Sequence, residues 1–433
     1  MTSQTRLLLP LILGAAFFGL GTTLLSFAMQ VRAQNVGGEA LAGLALALYY
    51  TGFFFGVLYS RRTIARVGQI RAYAAYATIV SIVAIAPNLF ELAAFDLVLR
   101  FLTGLSFAGA FTAVDSWLND GADEDSRGNI LGIYYSCIVL GHILGYLAAA
   151  FPGVFLDVEV QAGQLVIPSQ FFVLATLMIS FSLVPIVLTQ GRGPMTEVGD
   201  SLSLGELFRL SPVGAFGSFT AGIVVSNTQG LMPSFGAYLG FSNAEVIYLI
   251  IAILIGGFVV QYPTGWLTKQ VDRRILILCA CGLGMLSAVL IAVLLVPGAQ
   301  LSTTLIYGLF AILGGVVYLI YPLSIAQVYD YLDHSKYVGA TIGLFIIYSI
   351  GAILGPLVTG QAMAWSPRTL FWSLAITYAA FALLVAYRIR VRAAPALEDQ
   401  GDYVPLPLTS ATLAEMDPRT DPALENEEDV NRP

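Results

Sequence analysis

Apolar runs of about 20 residues, the length of helix that crosses a bilayer, recur from Leu8 to Arg388, and they constrain this chain more than any other feature. Hydrocarbon offers the backbone no hydrogen-bond partner, so a crossing segment must be a helix or part of a closed barrel. The runs do not alternate in the short pieces a barrel needs. Composition agrees: 57% of residues are hydrophobic and 11% charged, against about 25% charged in an ordinary soluble domain. The expected fold class is an all-α polytopic membrane protein with twelve transmembrane helices. The spans fall near 8–30, 41–60, 71–88, 92–115, 129–151, 168–189, 212–236, 244–267, 274–296, 301–326, 338–360 and 369–388. The first run, behind Arg6, is longer than the apolar region of a signal peptide and reads as span 1.

Loop charges predict the orientation. Fifteen Lys and Arg residues (Arg6, Arg61, Arg62, Arg66, Arg71, Arg127, Arg192, Arg209, Lys269, Arg273, Arg274, Lys336, Arg388, Arg390 and Arg392) fall on one side, and Arg32 and Arg368 on the other. Both termini are therefore expected in the cytoplasm, at the inner membrane if the source is bacterial. Of the net charge of −7, the segment after Arg392 carries −8, with ten acids against Arg419 and Arg432. It reads as a solvated tail too poor in aromatics to fold alone. Cys137, Cys279 and Cys281 lie inside apolar runs at spacings that suit neither a disulfide framework nor a metal. No basic, aromatic-interleaved patch suggests nucleic acid.

The chain repeats itself. "GHILG" at 141–145 returns as "GAILG" at 351–355, and the same offset carries Gly104 onto Gly314 and Asp120 onto Asp330. "GFFFGVL" from Gly52 matches "GFVVQYP" from Gly257 at nearly that offset. The expected organisation is two pseudo-symmetric six-helix halves, 1–190 and 212–390, joined by a cytoplasmic loop at 191–211 and followed by the tail at 391–433. Parallel repeats of this kind place a substrate site near the midplane between halves.

Few spanning residues can carry chemistry. On an ideal helix Asp96, Arg100, Gly104, Phe107, Phe111 and Asp115 share one stripe of span 4. Charges there are costly unless they meet water or a partner. Asp96 and Arg100 stand four apart and are expected to pair, either locking helices together or lining a cavity. Asp115, Asp120 and Arg127 bracket the loop after span 4, opposite Arg61, Arg62, Arg66 and Arg71, which suggests a cytoplasmic latch. In span 5, Tyr135, His142 and Tyr146 share a face. His142 is a packing residue or a proton carrier. Span 7 holds "SNTQGLMP", where Asn227 and Gln229 precede Gly230 and Pro233, so a bent or broken helix is expected. Gln261, Tyr318 and Tyr321 add polar groups from spans 8 and 10. No nucleophile elbow, phosphate-binding lysine loop or metal cluster marks an enzyme.

Twelve spans in parallel halves, the basic loop 2–3 and "R-x-x-x-G" at Arg100 and Gly104 resemble the major facilitator superfamily (MFS). The loop 2–3 stretch "IARVGQIR" supplies Arg66, Gly68 and Arg71 of that family's gating signature, with Ala65 at the acidic position. The cognate loop "QYPTGWLTKQVDRR" keeps Gly265, Arg273 and Arg274, with Lys269 at the acidic position. "DSWLN", "SRGNILGIYY", "GLMPSF", "QYPTGWL" and "YLIYPL" resemble a bacterial branch, the YcaD-like transporters. The resemblance implies that helices 1, 4, 7 and 10 line a central cavity and that Arg66, Gly68, Arg71, Gly265, Arg273 and Arg274 act in gating; with Asp115, Asp120 and Arg127 of the charge latch they are the gating candidates. The expected function is secondary transport of a small organic molecule by alternating access, coupled to protons. The alternatives are an uncoupled uniporter and a membrane sensor signalling through its tail. The expected partners are a small-molecule substrate, protons and the lipid bilayer. No nucleic acid, cofactor or metal is expected, and the expected assembly is a monomer.

Overall fold

The computed structural model describes residues 3–89, 92–121, 127–150, 160–161, 164–165, 167–188, 203–332, 336–392, 400 and 403; the side chains of 3–7, 120–121, 127–128, 160–161, 164–165 and 243 fall outside that set. The helices are α1 (Ser3–Val67), α2 (Gln69–Ile85), α3 (Ala93–Gly121), α4 (Arg127–Ala150), α5 (Ser169–Val187), α6 (Leu204–Leu210), α7 (Pro212–Gly230), α8 (Met232–Leu239), α9 (Asn243–Leu267), α10 (Arg273–Leu294), α11 (Thr303–Tyr329), α12 (Tyr337–Met363) and α13 (Thr369–Val391). Two residue pairs, Val160–Gln161 and Gln164–Leu165, form a minimal antiparallel hairpin.

α1 is two crossings. Its residues Gly37 and Gly38 leave helical geometry, and Gly38 sits at φ 65°, a conformation glycine enters without steric cost. Gln30 Nε2 donates to the carbonyl of Ala42 at 3.0 Å. Twelve residues of straight helix would hold these groups about 18 Å apart, so the chain reverses between them. Among the described residues ten helices are long and apolar enough to cross a membrane, eleven with the bent pair α6–α7. With α1 divided at its glycines they supply the twelve spans expected. The predicted break in span 7 also forms: α7 stops at Gly230 and α8 begins at Met232, with Pro233 in its first turn.

The sequence repeat marks equivalent helix crossings. A Cβ on Gly104 would meet the Tyr49 carbonyl at 1.8 Å, and one on Gly314 would meet that of Ile253 at 2.1 Å. Gly104 lets α3 cross the second arm of α1, and Gly314 lets α11 cross α9, backbone against backbone. Gly141 likewise faces Ala16 and Gly351 faces Phe219. The helices α1 to α5 pack mainly among themselves, as do α7 to α13. Between the groups, α1 meets α12, α7 and α8, and α4 meets α9. Outward positions carry large apolar side chains such as Ile82, Leu177, Val358, Ile376 and Leu383. This is the surface of an integral, multi-pass membrane protein, in which the faces turned from the core meet lipid.

Candidate functional site

A cavity of about 170 Å³ lies where the two groups of helices meet. The first arm of α1 lines it with Thr22, Thr23 and Ser26, the second with Tyr49, Tyr50 and Phe53. Phe107 of α3 and Tyr135, His142 and Tyr146 of α4 complete that side. Opposite stand Gln229 of α7, Phe258 and Gln261 of α9, Tyr318 and Pro322 of α11, and Tyr348 of α12. No Asp, Glu, Lys or Arg is among the described lining residues.

Hydrogen bonds and ring contacts fix several of these groups. Gln229 Nε2 donates to Tyr318 Oη at 2.5 Å, joining α7 to α11. The rings of Tyr135 and Phe258 stack at 6.2 Å between α4 and α9. His142 Nδ1 lies 2.9 Å from the Ile138 carbonyl. A carbonyl only accepts, so Nδ1 carries the hydrogen and Nε2 is the nitrogen left to take up a proton.

The cavity therefore brings together Phe107, Tyr135, His142, Tyr146, Gln229, Gln261 and Tyr318 of the residues singled out in the sequence. Asn227 and Tyr321 stand away from its wall. Asn227 is buried and donates to Thr359 Oγ1 at 2.9 Å, tying α7 to α12. Asn227 and Gln229 are two residues apart, about 200° around a helix, so when one faces the cavity the other faces a neighbouring helix. Tyr321 packs edge-on behind Tyr348, with ring centres 5.3 Å apart.

The expected Asp96–Arg100 pair does not form. Asp96 Oδ2 instead accepts from Arg32 Nε at 2.7 Å. Position i+4 brings two side chains to one face, but the nearer partner comes across the helix interface from α1. Arg100, 2% exposed, is left with one long bond, Nη2 to Gln30 Oε1 at 3.3 Å. Its guanidinium sits over the Tyr49 ring, 5.2 Å from the centre. Nε and Nη1 have no partner. Arg100 thus lies behind the cavity wall, with Tyr49 between.

The gating candidates separate. Asp115 is buried and accepts a hydrogen bond from Tyr134. Arg66 and Arg71 are exposed and form no ion pair among the described residues. Gly68, at φ 84°, caps α2. The side chains of Asp120 and Arg127 lie outside the described residues, as do 191–202 of the joining loop. In the second half Arg273 is 1% exposed, pairs with Asp330 and donates to the Ala326 carbonyl at 2.9 Å. Arg274 is held by Asp272 at 2.8 Å and donates to the Arg392 carbonyl at 2.7 Å. Gly265 sits against Tyr403.

Tyr403 corrects the reading of the tail as wholly solvated. It is buried, and its hydroxyl donates to Oε1 of the cavity residue Gln261. Most of the remaining tail lies outside the described residues. Sequence reasoning also passed over Arg32 as a partner, and Thr22, Tyr49, Tyr50 and Tyr348 as lining. A Tyr-Tyr doublet within an apolar run was the available signal for two of these.

Comparisons with known proteins agree with this geometry. The profile of the Major Facilitator Superfamily matches residues 214–416. The MFS-type transporter YcaD of Escherichia coli O6:K15:H31 is 25% identical over 368 residues, covering 84% of this chain and 90% of the relative. That of Salmonella dublin is 25% identical over 379 residues, covering 86% and 93%. Among solved structures, a bacterial homologue of the human lysosomal transporter Spinster, inward-facing and unoccupied, superposes with TM-score 0.68 at 15% identity, over 92% of this chain and all of that one. The nucleoside transporter NupG superposes with TM-score 0.67 at 12% identity, over 88% and 99%. With its spans, repeated helix crossings and central cavity, the chain is similar to proteins of the major facilitator superfamily, and among them to the YcaD-like branch.

Proposed function

We propose that the protein is a secondary transporter that moves a small organic molecule by alternating access, coupled to protons. The observation that carries this is the cavity: its wall is shared between α1, α3 and α4 on one side and α7, α9, α11 and α12 on the other. Rocking of one group against the other would expose the same residues to each face of the membrane in turn. The moving bodies in this reading are residues 1–190 and 212–390, and the arginine-rich end is cytoplasmic, at the inner membrane of a bacterial cell. The protein works as a monomer.

His142 supports the proton coupling. Imidazole is the side chain whose charge ordinarily changes between about pH 5 and 8, and among the described cavity residues it is the one group of that kind. Its neighbours on the wall are tyrosines, threonines and glutamines, so a proton there meets no fixed counter-ion within the lining.

The test is cysteine accessibility. With Cys137, Cys279 and Cys281 replaced by serine, single cysteines at Ser26 and Gln261 are labelled from each side with an impermeant maleimide. Alternating access predicts that conditions raising labelling from one side lower it from the other. Simultaneous labelling from both sides would mean a pore and end the proposal. Coupling predicts that the balance shifts between pH 6 and pH 8, on either side of the ordinary imidazole pKa. That shift should vanish in His142→Gln.

A further inference from the structure

Among the described residues Arg100 is a cation without an anion. Asp96, the carboxylate one turn away on α3, is engaged by Arg32. The cavity beside Arg100 contributes no acid from its described lining. Gln30 supplies one acceptor at 3.3 Å and Tyr49 the face of a ring. Nε and Nη1 point at nothing that accepts, although the side chain is 2% exposed. A buried charge is normally retained only with a partner, because water's solvation is lost and nothing replaces it. The missing partner is therefore not among the described residues of this chain.

We infer that the transported molecule is a small organic anion whose negative group completes Arg100. This rests on the transporter reading of the cavity. Tyr49 connects the two: one face of its ring carries the guanidinium and its side chain lines the cavity. While the site is empty the Tyr49 ring takes the place of the anion. Rotation of that ring opens the guanidinium to a carboxylate or sulfonate, a charge-assisted acceptor for the N–H groups of Nε and Nη1 that lack a partner among the described residues.

The remaining lining suits the same ligand. Tyr, Thr, Ser and Gln side chains offer hydroxyl and amide donors, and no carboxylate repels an anion. A cation would meet the field of Arg100 with nothing to offset it. The cavity's 170 Å³ is close to the roughly 150 Å³ that accommodates one benzene ring in a protein interior. Aromatic walls, with Phe53, Phe107, Tyr135 and Phe258 among them, favour a flat apolar body behind the charged group.

The experiment uses three probes of one size and different charge: benzoate, benzamide and benzylamine. Their binding to the purified full chain in nanodiscs is titrated calorimetrically. Benzoate should bind at least about tenfold more tightly than benzamide, and benzylamine should not bind. Arg100→Gln should reduce benzoate to the affinity of benzamide, and Arg100→Lys should restore part of the preference. Equal or tighter binding of benzamide, any binding of benzylamine, or no binding of benzoate overturns the proposal on the wild-type chain alone. So does an unchanged benzoate preference in a folded Arg100→Gln protein. If the charge ranking fails while cysteine accessibility still alternates, the anion is wrong and the transporter stands. Loss of alternation removes both.

Discussion

Arg100 on α3 and Arg273 on α10 are almost equally hidden, at 2% and 1% exposed, yet their surroundings differ completely. Arg273 meets the carboxylate of Asp330, itself buried, and the Ala326 carbonyl, so the start of α10 is fastened to the end of α11. Arg100 meets an amide at long range and a tyrosine ring. A compensated charge holds two helices in one arrangement. An uncompensated one adds nothing to the resting structure and is available to whatever enters the neighbouring cavity. If the anion proposal holds, the difference separates a structural arginine from a functional one in a fold where both look alike by burial.

The largest expected effect tests the compensated side. Asp330→Asn leaves Arg273 buried without its anion and should destabilise the protein by about 3–5 kcal/mol, read as a lowered thermal midpoint. The double replacement Arg273→Met with Asp330→Leu should recover most of that loss, since no charge remains to be compensated. A normal midpoint for Asp330→Asn would show that the pair is not what fastens α10 to α11.

Arg100→Met should move stability in the opposite direction. It removes unsatisfied N–H groups and keeps the length of the side chain, for a gain of about 1–3 kcal/mol, while benzoate loses its advantage over benzamide. Opposite signs for two equally buried arginines are the sharpest form of the comparison. If Arg100→Met melts as low as Asp330→Asn, Arg100 is a structural residue and the contrast collapses.

The spans were legible because hydrocarbon demands length and apolarity, and both are local properties. The break after Gly230 was legible because Gly and Pro act on their own backbone. The cavity residues His142, Tyr135, Gln229 and Tyr318 stood out as polar groups in apolar runs. Partner choice did not show. Asp96 reaches Arg32, 64 positions away in sequence, and not Arg100 on its own helix, because α1 brings the guanidinium to the carboxylate. The helical stripe locates a face but does not say which neighbour covers it. For the same reason Asn227 and Tyr321 read as cavity residues and turned out to face other helices. Tyr403 escaped because a single aromatic in an acidic tail carries no periodic signal.

Tyr403 gives a smaller test on the side of the molecule that holds Arg273. Gln261 has its amide fixed from two directions, donating to the Tyr318 carbonyl at 3.2 Å and accepting from Tyr403. Tyr403→Phe removes one of those bonds, so the expected cost is about 0.5–1.5 kcal/mol. Alternation of cysteine accessibility should persist. Truncation after Arg392 should have no larger effect on stability than this single change. A protein that fails to alternate after truncation would favour a sensor whose tail carries the output.

The smallest effect concerns the ion pair that replaced the expected one. Arg32 and Asp96 are partly open to solvent, with side chains 20% and 9% exposed, which places the pair near the weak end of the scale, about 0–1 kcal/mol. Breaking it from either side separates two descriptions of Arg100. If Asp96 serves Arg32 alone, Arg32→Gln and Asp96→Asn should cost the same small amount, and Arg100→Met should add to either without interaction. If Asp96 also offsets Arg100 across one turn of α3, Asp96→Asn should cost more than Arg32→Gln, and the excess should disappear in the Asp96→Asn, Arg100→Met double variant. The structure gives Asp96 Oδ1 no partner and Arg100 no bond to it, so the first pattern is expected, with a coupling energy near zero in the double-mutant cycle. A coupling of a kcal/mol or more would mean that Arg100 already has its anion, and that the cavity does not select for one.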